Sequence, residues 1–169
     1  MPHGGGGRHA SPQGAEVCKL ACGGVSTIWT IGYEKLLPPQ LAAELSAAGV
    51  ERVIDVRFRP QSRRPGMSKT RLGQLLGDHG IAYESRRELG TPADIRFLFH
   101  AGKIDEGATA FRAHVRDHAA DALAELDAEL EHGPRTALLC LEADPAVCHR
   151  RVLAERLRVR RPDLEVVDL

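Results

Sequence analysis

The chain of 169 residues lacks the features that would assign it at once to several classes of protein. No stretch approaches the roughly 20 apolar residues of a membrane-spanning helix, and the N-terminus has no secretory pattern, so we expect a cytoplasmic protein without a membrane partner. Aromatic residues make up only 4% of the chain, which leaves little for stacking on nucleic-acid bases. Neither standard glycine-rich phosphate loop occurs, and no cofactor is expected.

The formal net charge is zero, but the charges are unevenly distributed along the chain. Residues 51–71 carry seven basic groups against two acids, whereas residues 117–131 carry six acids and no Lys or Arg. The acidic run has helical spacing and is typical of a solvated helix face. The basic run includes Pro60, Pro65 and Gly66, which predict a loop. Arginines on a loop that follows a strand indicate an anionic partner.

The four cysteines, at positions 18, 22, 140 and 148, are not accompanied by any other sign of an oxidising compartment, so we expect reduced thiols. Residues 1–25 are rich in Gly, Pro and His, which predicts a flexible tail. Cys18 and Cys22 lie in this tail without a second ligand pair and are interpreted as incidental thiols. The length fits a single domain over residues 26–169.

Short apolar runs alternate with segments of helical periodicity through this domain. Strands are expected at residues 26–31, 53–58, 81–85, 135–141 and 165–169. Helices are expected at residues 38–48, 68–80, 93–101, 107–132 and 145–158. The alternation, with nearly continuous apolar strands, predicts a single-domain α/β fold with a mostly parallel sheet and helices on both faces. The order of the strands and the oligomeric state stay open.

The most informative stretch reads TALLCLEADPAVCHRRVL, at residues 136–153. An apolar strand ends near Cys140, Asp144-Pro145 is typical of a helix start, and Cys148 follows in the predicted first turns of that helix. Ligands bind at such strand ends in open α/β sheets. A helix N-terminus also favours an anion and lowers the pKa of a nearby thiol. We therefore predict a functional site at this junction.

Several roles stay open for Cys140 and Cys148. Each could be a small buried hydrophobic residue. Together they could form a redox dithiol, or they could join Glu142 and His149 as four donors to a metal, although the spacing matches no common zinc pattern. One of them could instead be a nucleophile that attacks an electrophile held by arginines.

The neighbours of the cysteines have candidate roles of their own. His149 is either a surface histidine or an acid/base group beside a bound anion. Arg151 precedes Glu155 by four residues, which predicts an ordinary ion pair on the helix surface and leaves Arg150 as the candidate for anion binding. Glu142 could accept hydrogen bonds from an arginine of the loop that follows the second strand.

The end of the second predicted strand supplies further candidates. Asp55 and Arg57 point to the same face of the sheet because strand side chains alternate. Charge inside an apolar strand is costly unless it is paired, so these two residues either pair with each other or line the crevice. Arg63, Arg64 and Lys69 would then form a basic rim suited to phosphate or carboxylate groups.

Four motifs together resemble the domain-of-unknown-function family 488: TIGY at 30–33, DVRFRPQSRR at 55–64, ELGTP at 88–92 and CLEADPAVCHRRVLAERL at 140–157. The resemblance implies a prokaryotic α/β domain whose Cys-x-Glu and Cys-His-Arg motifs mark a site. It carries nine residues over to that site: Asp55, Arg57, Ser62, Arg63, Cys140, Glu142, Cys148, His149 and Arg150. The strand end and the cysteine loop are also similar to those of rhodanese-like sulfur transferases, with a different spacing.

These observations predict an enzyme that uses thiol chemistry on a small phosphate- or carboxylate-bearing ligand. Cys140 or Cys148 would react, and His149 or Glu142 would move protons. Four arginines would bind the anion, with two polar residues in support: Arg57, Arg63, Arg64 and Arg150, with Asp55 and Ser62. Two rivals stay open, a nucleic-acid-binding or regulatory module that uses the basic loop at 57–71 and a small metal-binding protein.

Overall fold

The computed structural model describes residues 26–169, so the tail predicted at 1–25 lies outside the described residues. Five strands form one sheet, in which every pair of neighbours is parallel. In chain order they are β1 (Thr27–Gly32), β2 (Arg52–Asp55), β3 (Ala82–Ser85), β4 (Thr136–Cys140) and β5 (Glu165–Asp168). Their order across the sheet is β3-β2-β4-β1-β5. The predicted α/β fold with a parallel sheet is confirmed.

Helices cover both faces of the sheet, as the apolar strands require. They are α1 (Pro38–Ala47), α2 (Lys69–Asp78), α3 (Ala93–His100), α4 (Ile104–His118), α5 (Ala120–His132) and α6 (His149–Arg160). The core on the α1–α2 face contains Leu45 and Leu72. The core on the opposite face contains Phe111, Leu126 and Leu153, from α4, α5 and α6. Within residues 26–169, no helix combines the length and the apolar character needed to cross a membrane.

The strand order leaves a crevice at the carboxyl end of β4. The chain leaves β1 and β2 toward the α1–α2 face, but it leaves β4 toward α6 on the other face. Because β4 lies between β1 and β2, the loops at its end diverge from those of both neighbours. The register places Gly32 beside Cys140 and Asp55 beside Leu139, so the three strand ends are level.

The single helix predicted at residues 107–132 is wrong, because α4 and α5 are separate helices that meet at Ala119. Ala119 has φ −135° and ψ 18°, outside the helical region, and its side chain is buried. A straight helix of that length would measure about 39 Å, well beyond strands that span roughly 13–20 Å. The break lets both apolar stripes pack on the same face of the sheet. Ala119 carries no helix-breaking signal, so the sequence pattern continues through it.

The helix predicted from residue 145 is also wrong at its start. Asp144 accepts a hydrogen bond from the Ala146 N–H at 2.8 Å, but the turn that it caps is a short 3₁₀ helix, Pro145–Val147. Cys148 then has extended backbone angles and precedes the first residue of α6. The expected Asp-Pro helix start is therefore a 3₁₀ turn, and the thiol of Cys148 lies outside the first helical turn.

Candidate active site

The segment from β4 to α6 brings four chemically active side chains to the crevice. Cys140 ends β4, Glu142 lies in the following loop, Cys148 precedes α6, and His149 begins it. Cys140, Cys148 and His149 are 4%, 2% and 6% exposed, respectively. Glu142 is more open, with 22% of its side chain exposed. The cluster formed by these four residues is called the Cys-His-Glu cluster below.

Two features press this loop onto the end of β1. A Cβ atom on Gly32 would lie 1.7 Å from the carbonyl oxygen of Glu142, so only glycine permits the observed approach. Arg150 is fully buried and donates to Thr30 Oγ1 at 3.1 Å, to the Ala143 carbonyl at 2.8 Å and to the Glu142 carbonyl. The guanidinium thereby satisfies two partly buried loop carbonyls and holds the loop in place.

Within the cluster, both thiols contact the same two groups. The Sγ atoms of Cys140 and Cys148 lie 3.2 Å and 3.1 Å from Glu142 Oε2. They lie 3.7 Å and 3.9 Å from His149 Nδ1. An arginine partner is the role that the sequence suggests for Glu142, but its carboxylate instead contacts the two thiols through Oε2 and His100 through Oε1, at 3.8 Å.

The orientation of the His149 ring is set by its surroundings. Its Nε2 lies 3.0 Å from the Val56 carbonyl oxygen, which can only accept, so Nε2 carries a proton. Phe111 packs edge-on against the ring at 5.1 Å between centroids. In a neutral imidazole Nδ1 is then the unprotonated nitrogen, and it faces both sulfurs. This is the orientation of a base that can accept a thiol proton.

Burial and mutual contact shift the pKa values of the cluster. Burial, together with the contact to Cys140, raises the pKa of the Cys148 thiol well above its usual value, because two adjacent thiols cannot both ionise cheaply. Burial raises the pKa of the Glu142 carboxyl, but hydrogen bonds from Cys148, its own backbone and Cys140 outweigh burial and lower it. Burial lowers the pKa of His149, but the contacts with Cys148, Val56 and Glu142 raise it overall.

The cluster forms one wall of a cleft with a volume of about 220 Å³. The apolar part of the lining includes Phe58 from the loop after β2, Phe99 from α3, and Leu141 and Val147 from the β4–α6 loop. Arg57 lines the same cleft, so the second and fourth strands meet at a common site as predicted. A volume of this size is below the roughly 300–1,000 Å³ of sites for drug-sized ligands.

Arg57 lines the cleft, but its guanidinium donates its hydrogen bonds to other groups of the protein. Its Nε and Nη2 donate to the Asp55 carboxylate at 2.8 Å and 2.5 Å. Its Nη1 donates to the Tyr33 hydroxyl at 2.8 Å and to the Met67 carbonyl at 2.9 Å. The pairing of Asp55 with Arg57, one of two alternatives from the sequence, is confirmed, and the Tyr83 hydroxyl donates to the same carboxylate.

The other arginines predicted to bind the anion do not present a free guanidinium group to the cleft. Arg64 donates to the carbonyls of Tyr33, Glu34 and Leu36, and so braces the loop after β1. Arg63 is exposed and is not part of the cleft lining. Ser62 Oγ accepts from the Arg64 N–H at 3.1 Å, which is a local turn contact. Arg150 lies beneath the loop, as described above.

Three cationic or titratable residues of the cleft were not predicted as site residues. Arg59 and Arg96 line it, and neither side chain has a hydrogen-bond or carboxylate partner within residues 26–169. His100 lines it as well, next to Glu142 Oε1. Arg59 belongs to the basic run and could have been identified from it. Arg96 and His100 lie on α3, and no sequence signal indicates that α3 borders the cleft.

A metal could be held by the same groups that form the cluster. The ligand atoms of Cys140, Cys148 and His149 all lie within 4.8 Å of one another. Glu142 Oε2 is in contact with both sulfurs and offers a fourth donor.

Comparison with known proteins assigns the family. A family model described as "Domain of unknown function DUF488" matches residues 39–157, which includes the whole Cys-His-Glu cluster, whereas the TIGY motif at 30–33 lies before the match. No curated protein and no solved structure matches the chain. Because the match covers most of the described residues, the chain belongs to the DUF488 family.

Proposed function

We propose that this protein is an enzyme that uses a thiol of the Cys-His-Glu cluster on a small phosphate- or carboxylate-bearing ligand bound in the cleft. The observation that supports this most strongly is the contact of Cys140 and Cys148 with His149 Nδ1 and Glu142 Oε2 in the cleft wall. A thiol with a base in reach, and with that base oriented by a third group, is the arrangement of nucleophilic catalysis.

The proposed reacting thiol is that of Cys140. It ends the strand at the floor of the cleft, and its sulfur is the nearer of the two to His149 Nδ1, at 3.7 Å. The thiol proton passes to Nδ1 as Sγ forms a bond to an electrophilic atom of the ligand, and Nδ1 returns the proton to the departing group. Water then breaks the Sγ bond, releases the second product and restores the thiol. Cys148 donates its S–H to Glu142 throughout.

Recognition of the anion is assigned to Arg59 and Arg96. Both line the cleft, and their guanidinium groups have no acidic partner within residues 26–169. Guanidinium groups match carboxylate and phosphate oxygens in two-point contacts. Arg57, Arg64 and Arg150 instead hold the architecture around the ligand, because their donors are engaged by Asp55 and by backbone carbonyls.

The test is site-resolved alkylation by iodoacetamide in a variant with Cys18→Ser and Cys22→Ser, so that only the two cluster thiols react. We expect Cys140 to be alkylated faster than Cys148, inorganic phosphate or acetate to slow the reaction, and His149→Gln to slow it without ligand. Arg96→Gln is expected to weaken the protection by about tenfold, which corresponds to about 1.4 kcal/mol.

Arg63→Gln is the matched control, since it removes the same charge from an exposed residue outside the cleft lining. It should leave protection unchanged. Thiols that react only after unfolding, or reaction rates insensitive to both anions, would show that the proposed function is incorrect.

A further inference from the structure

We infer that the Cys-His-Glu cluster also binds one soft divalent cation of the zinc class, with Cys140, Cys148, His149 and Glu142 as ligands. This goes beyond the proposed function, and it rests on that function only for its regulatory consequence. Thiolate, imidazole and carboxylate are the ligands that zinc takes in proteins, commonly four at a time.

The spacing of Cys140, Cys148 and His149 suits three corners of a tetrahedral site, because their ligand atoms all lie within 4.8 Å of one another. Zinc bonds of about 2.3 Å to sulfur and about 2.0–2.1 Å to nitrogen place neighbouring ligand atoms about 3.5–3.8 Å apart. The distances from His149 Nδ1 to the two sulfurs are 3.7 Å and 3.9 Å. Glu142 Oε2 lies 3.2 Å and 3.1 Å from the sulfurs, but it is outside the group of ligand atoms that lie within 4.8 Å of one another. The carboxylate therefore has to swing toward His149, by about 1 Å or more, to become the fourth ligand. That movement is open to it, because Glu142 is the exposed member of the cluster.

The cluster also has more lone pairs than hydrogens. Four contacts join the sulfurs to Nδ1 and Oε2, but with both thiols protonated, Glu142 ionised and a neutral His149 directing its Nε2–H at the Val56 carbonyl, only the two thiol hydrogens are available. Lone pairs that converge without a hydrogen between them repel one another. A cation at their centre removes this repulsion because it accepts the lone pairs of the ligands.

The surroundings of His149 are those of a metal ligand. A histidine that binds metal donates its other ring N–H to a carbonyl or carboxylate, which orients the ring and raises its basicity. The Val56 carbonyl at 3.0 Å supplies this contact, and Phe111 packs against the ring. Glu142 lies on the cleft side, with His100 at 3.8 Å from its free oxygen, so it is the ligand that a cleft-bound group can replace.

The consequence is reversible inhibition. A cation that takes both sulfurs leaves no free thiol, so the metal-bound form is closed to the thiol chemistry proposed above. Removal of the cation restores the two thiols.

The test is titration of reduced, chelator-treated protein with Co²⁺, followed by absorption. We expect one equivalent to bind with the thiolate-to-cobalt charge-transfer band and the intense visible bands of a tetrahedral site, and Zn²⁺ to displace it. Cys140→Ser and Cys148→Ser should each weaken Co²⁺ binding by about 100-fold or more, because changes in mere partners of metal ligands already cost 10–100-fold. Circular dichroism of the metal-free variants checks their fold.

Two further variants keep the inference falsifiable if the cysteine variants unfold. Glu142→Gln changes a partly exposed residue and should weaken binding while the protein stays folded. The double variant Cys18→Ser, Cys22→Ser should retain one equivalent. No charge-transfer band in the unaltered chain, or a band that is lost in the Cys18/Cys22 variant and retained in Cys148→Ser, would overturn the inference.

Failure of this inference is distinguishable from failure of the proposed function. Selective alkylation of Cys140 without Co²⁺ binding refutes the metal site and leaves the thiol enzyme standing. Stoichiometric Co²⁺ binding by a protein whose metal-free thiols are unreactive supports the metal site and refutes the thiol enzyme. If both proposals are correct, Zn²⁺ abolishes the alkylation of Cys140, and a chelator restores it.

Discussion

Adjacent arginines in this protein have opposite roles, which are set by the number of partners that each one reaches. Arg150 is fully buried and satisfies two loop carbonyls and the Thr30 hydroxyl. Arg151 lies on the helix surface and pairs with Glu155 at 2.6 Å, as its i,i+4 spacing predicts. A guanidinium that donates several buried hydrogen bonds contributes far more to the free energy of unfolding than one in a surface ion pair.

Replacing Arg150 with Met should lower the free energy of unfolding by about 3 kcal/mol, because the freed carbonyls stay buried without donors. Arg151→Met should change it by no more than about 0.5 kcal/mol. Urea denaturation of both variants measures the difference. Equal effects would mean that Arg150 does not hold the loop.

The close approach at Gly32 leads to a second residue-level prediction. Gly32→Ala forces Cβ against the Glu142 carbonyl, so the β4–α6 loop must move, at a cost of about 3 kcal/mol. Gly77→Ala is the matched control: no atom lies within 4 Å of its added Cβ, and the residue lies inside α2. That control should be stabilised by up to about 1 kcal/mol. Urea denaturation measures both, and a stable Gly32→Ala variant would contradict the packing described here.

At the scale of elements, one carboxylate joins three parts of the fold. Glu129 on α5 accepts from Arg52, at the start of β2, at 2.7 Å and from Arg86, after β3, at 2.6 Å. Burial raises the pKa of Glu129, but the two arginines outweigh it and lower the pKa below its usual value. A carboxyl with a lowered pKa stabilises the folded state above its unfolded pKa, and that contribution disappears as the pH falls through its folded pKa.

Glu129→Gln should therefore reduce stability at pH 7 by about 1 kcal/mol, a value discounted for the partial exposure of the carboxylate. The difference from the unaltered protein should begin to shrink below about pH 4, near the unfolded pKa of a glutamate, and should disappear as the pH falls through the lower folded pKa of Glu129. Glu131→Gln, an exposed residue 3.9 Å from Arg161, is the control and should change little at either pH. Urea denaturation at pH 7 and pH 3 distinguishes the two, and a pH-independent loss in Glu129→Gln would contradict the ion-pair account.

Element types followed from the sequence more readily than their boundaries did. The fully buried strand β4 reads TALLC, an apolar run that only a covered sheet can accommodate. The break at Ala119 has no local signal, because it is dictated by the length of the strands that α4 and α5 cover. The 3₁₀ turn after Asp144 depends likewise on the contacts of the loop with Gly32 of β1 and with Arg150 of α6.

At the scale of the whole molecule, one sheet separates two apolar cores. Each of the central strands contributes to both, as Ile28 and Ile31 of β1 and Leu138 and Leu139 of β4 show. Because successive strand residues face opposite sides, neither core can lose its order without exposing the strands that the other packs on. The two halves should unfold as one cooperative unit.

Leu45→Ala and Leu126→Ala test whether the two halves unfold together, because each truncates a fully buried side chain of a different core. Each should cost about 3 kcal/mol and shift the same single transition. Fluorescence of the single tryptophan, Trp29, which packs against the α1–α2 core, and far-UV circular dichroism should give coincident curves. Val159→Ala, at a residue 72% exposed, is the control. Separate transitions would show that the cores are independent.

The cluster could be located from the sequence because its four members lie within ten residues at one strand end. The residues assigned here to anion recognition could not, since Arg59 and Arg96 are brought to the cleft by loops and helices from distant parts of the chain. Arg57, Arg64 and Arg150 were natural candidates on charge alone. Their hydrogen-bond partners, which only the folded protein reveals, give them structural roles.

The four residues of the Cys-His-Glu cluster come from one short segment of the chain, and this affects how the protein can diversify. The proposed reacting groups come from residues 140–149, whereas Phe58, Arg59 and Gln61 of the loop after β2 and Arg96, Phe99 and His100 of α3 supply much of the remaining cleft lining. Substitutions at residues 58–61 and 96–100 can therefore retune which molecule enters while leaving the chemical centre intact. Under the proposed function, one scaffold of this design serves a set of related anionic ligands through substitution of the residues that border its cleft.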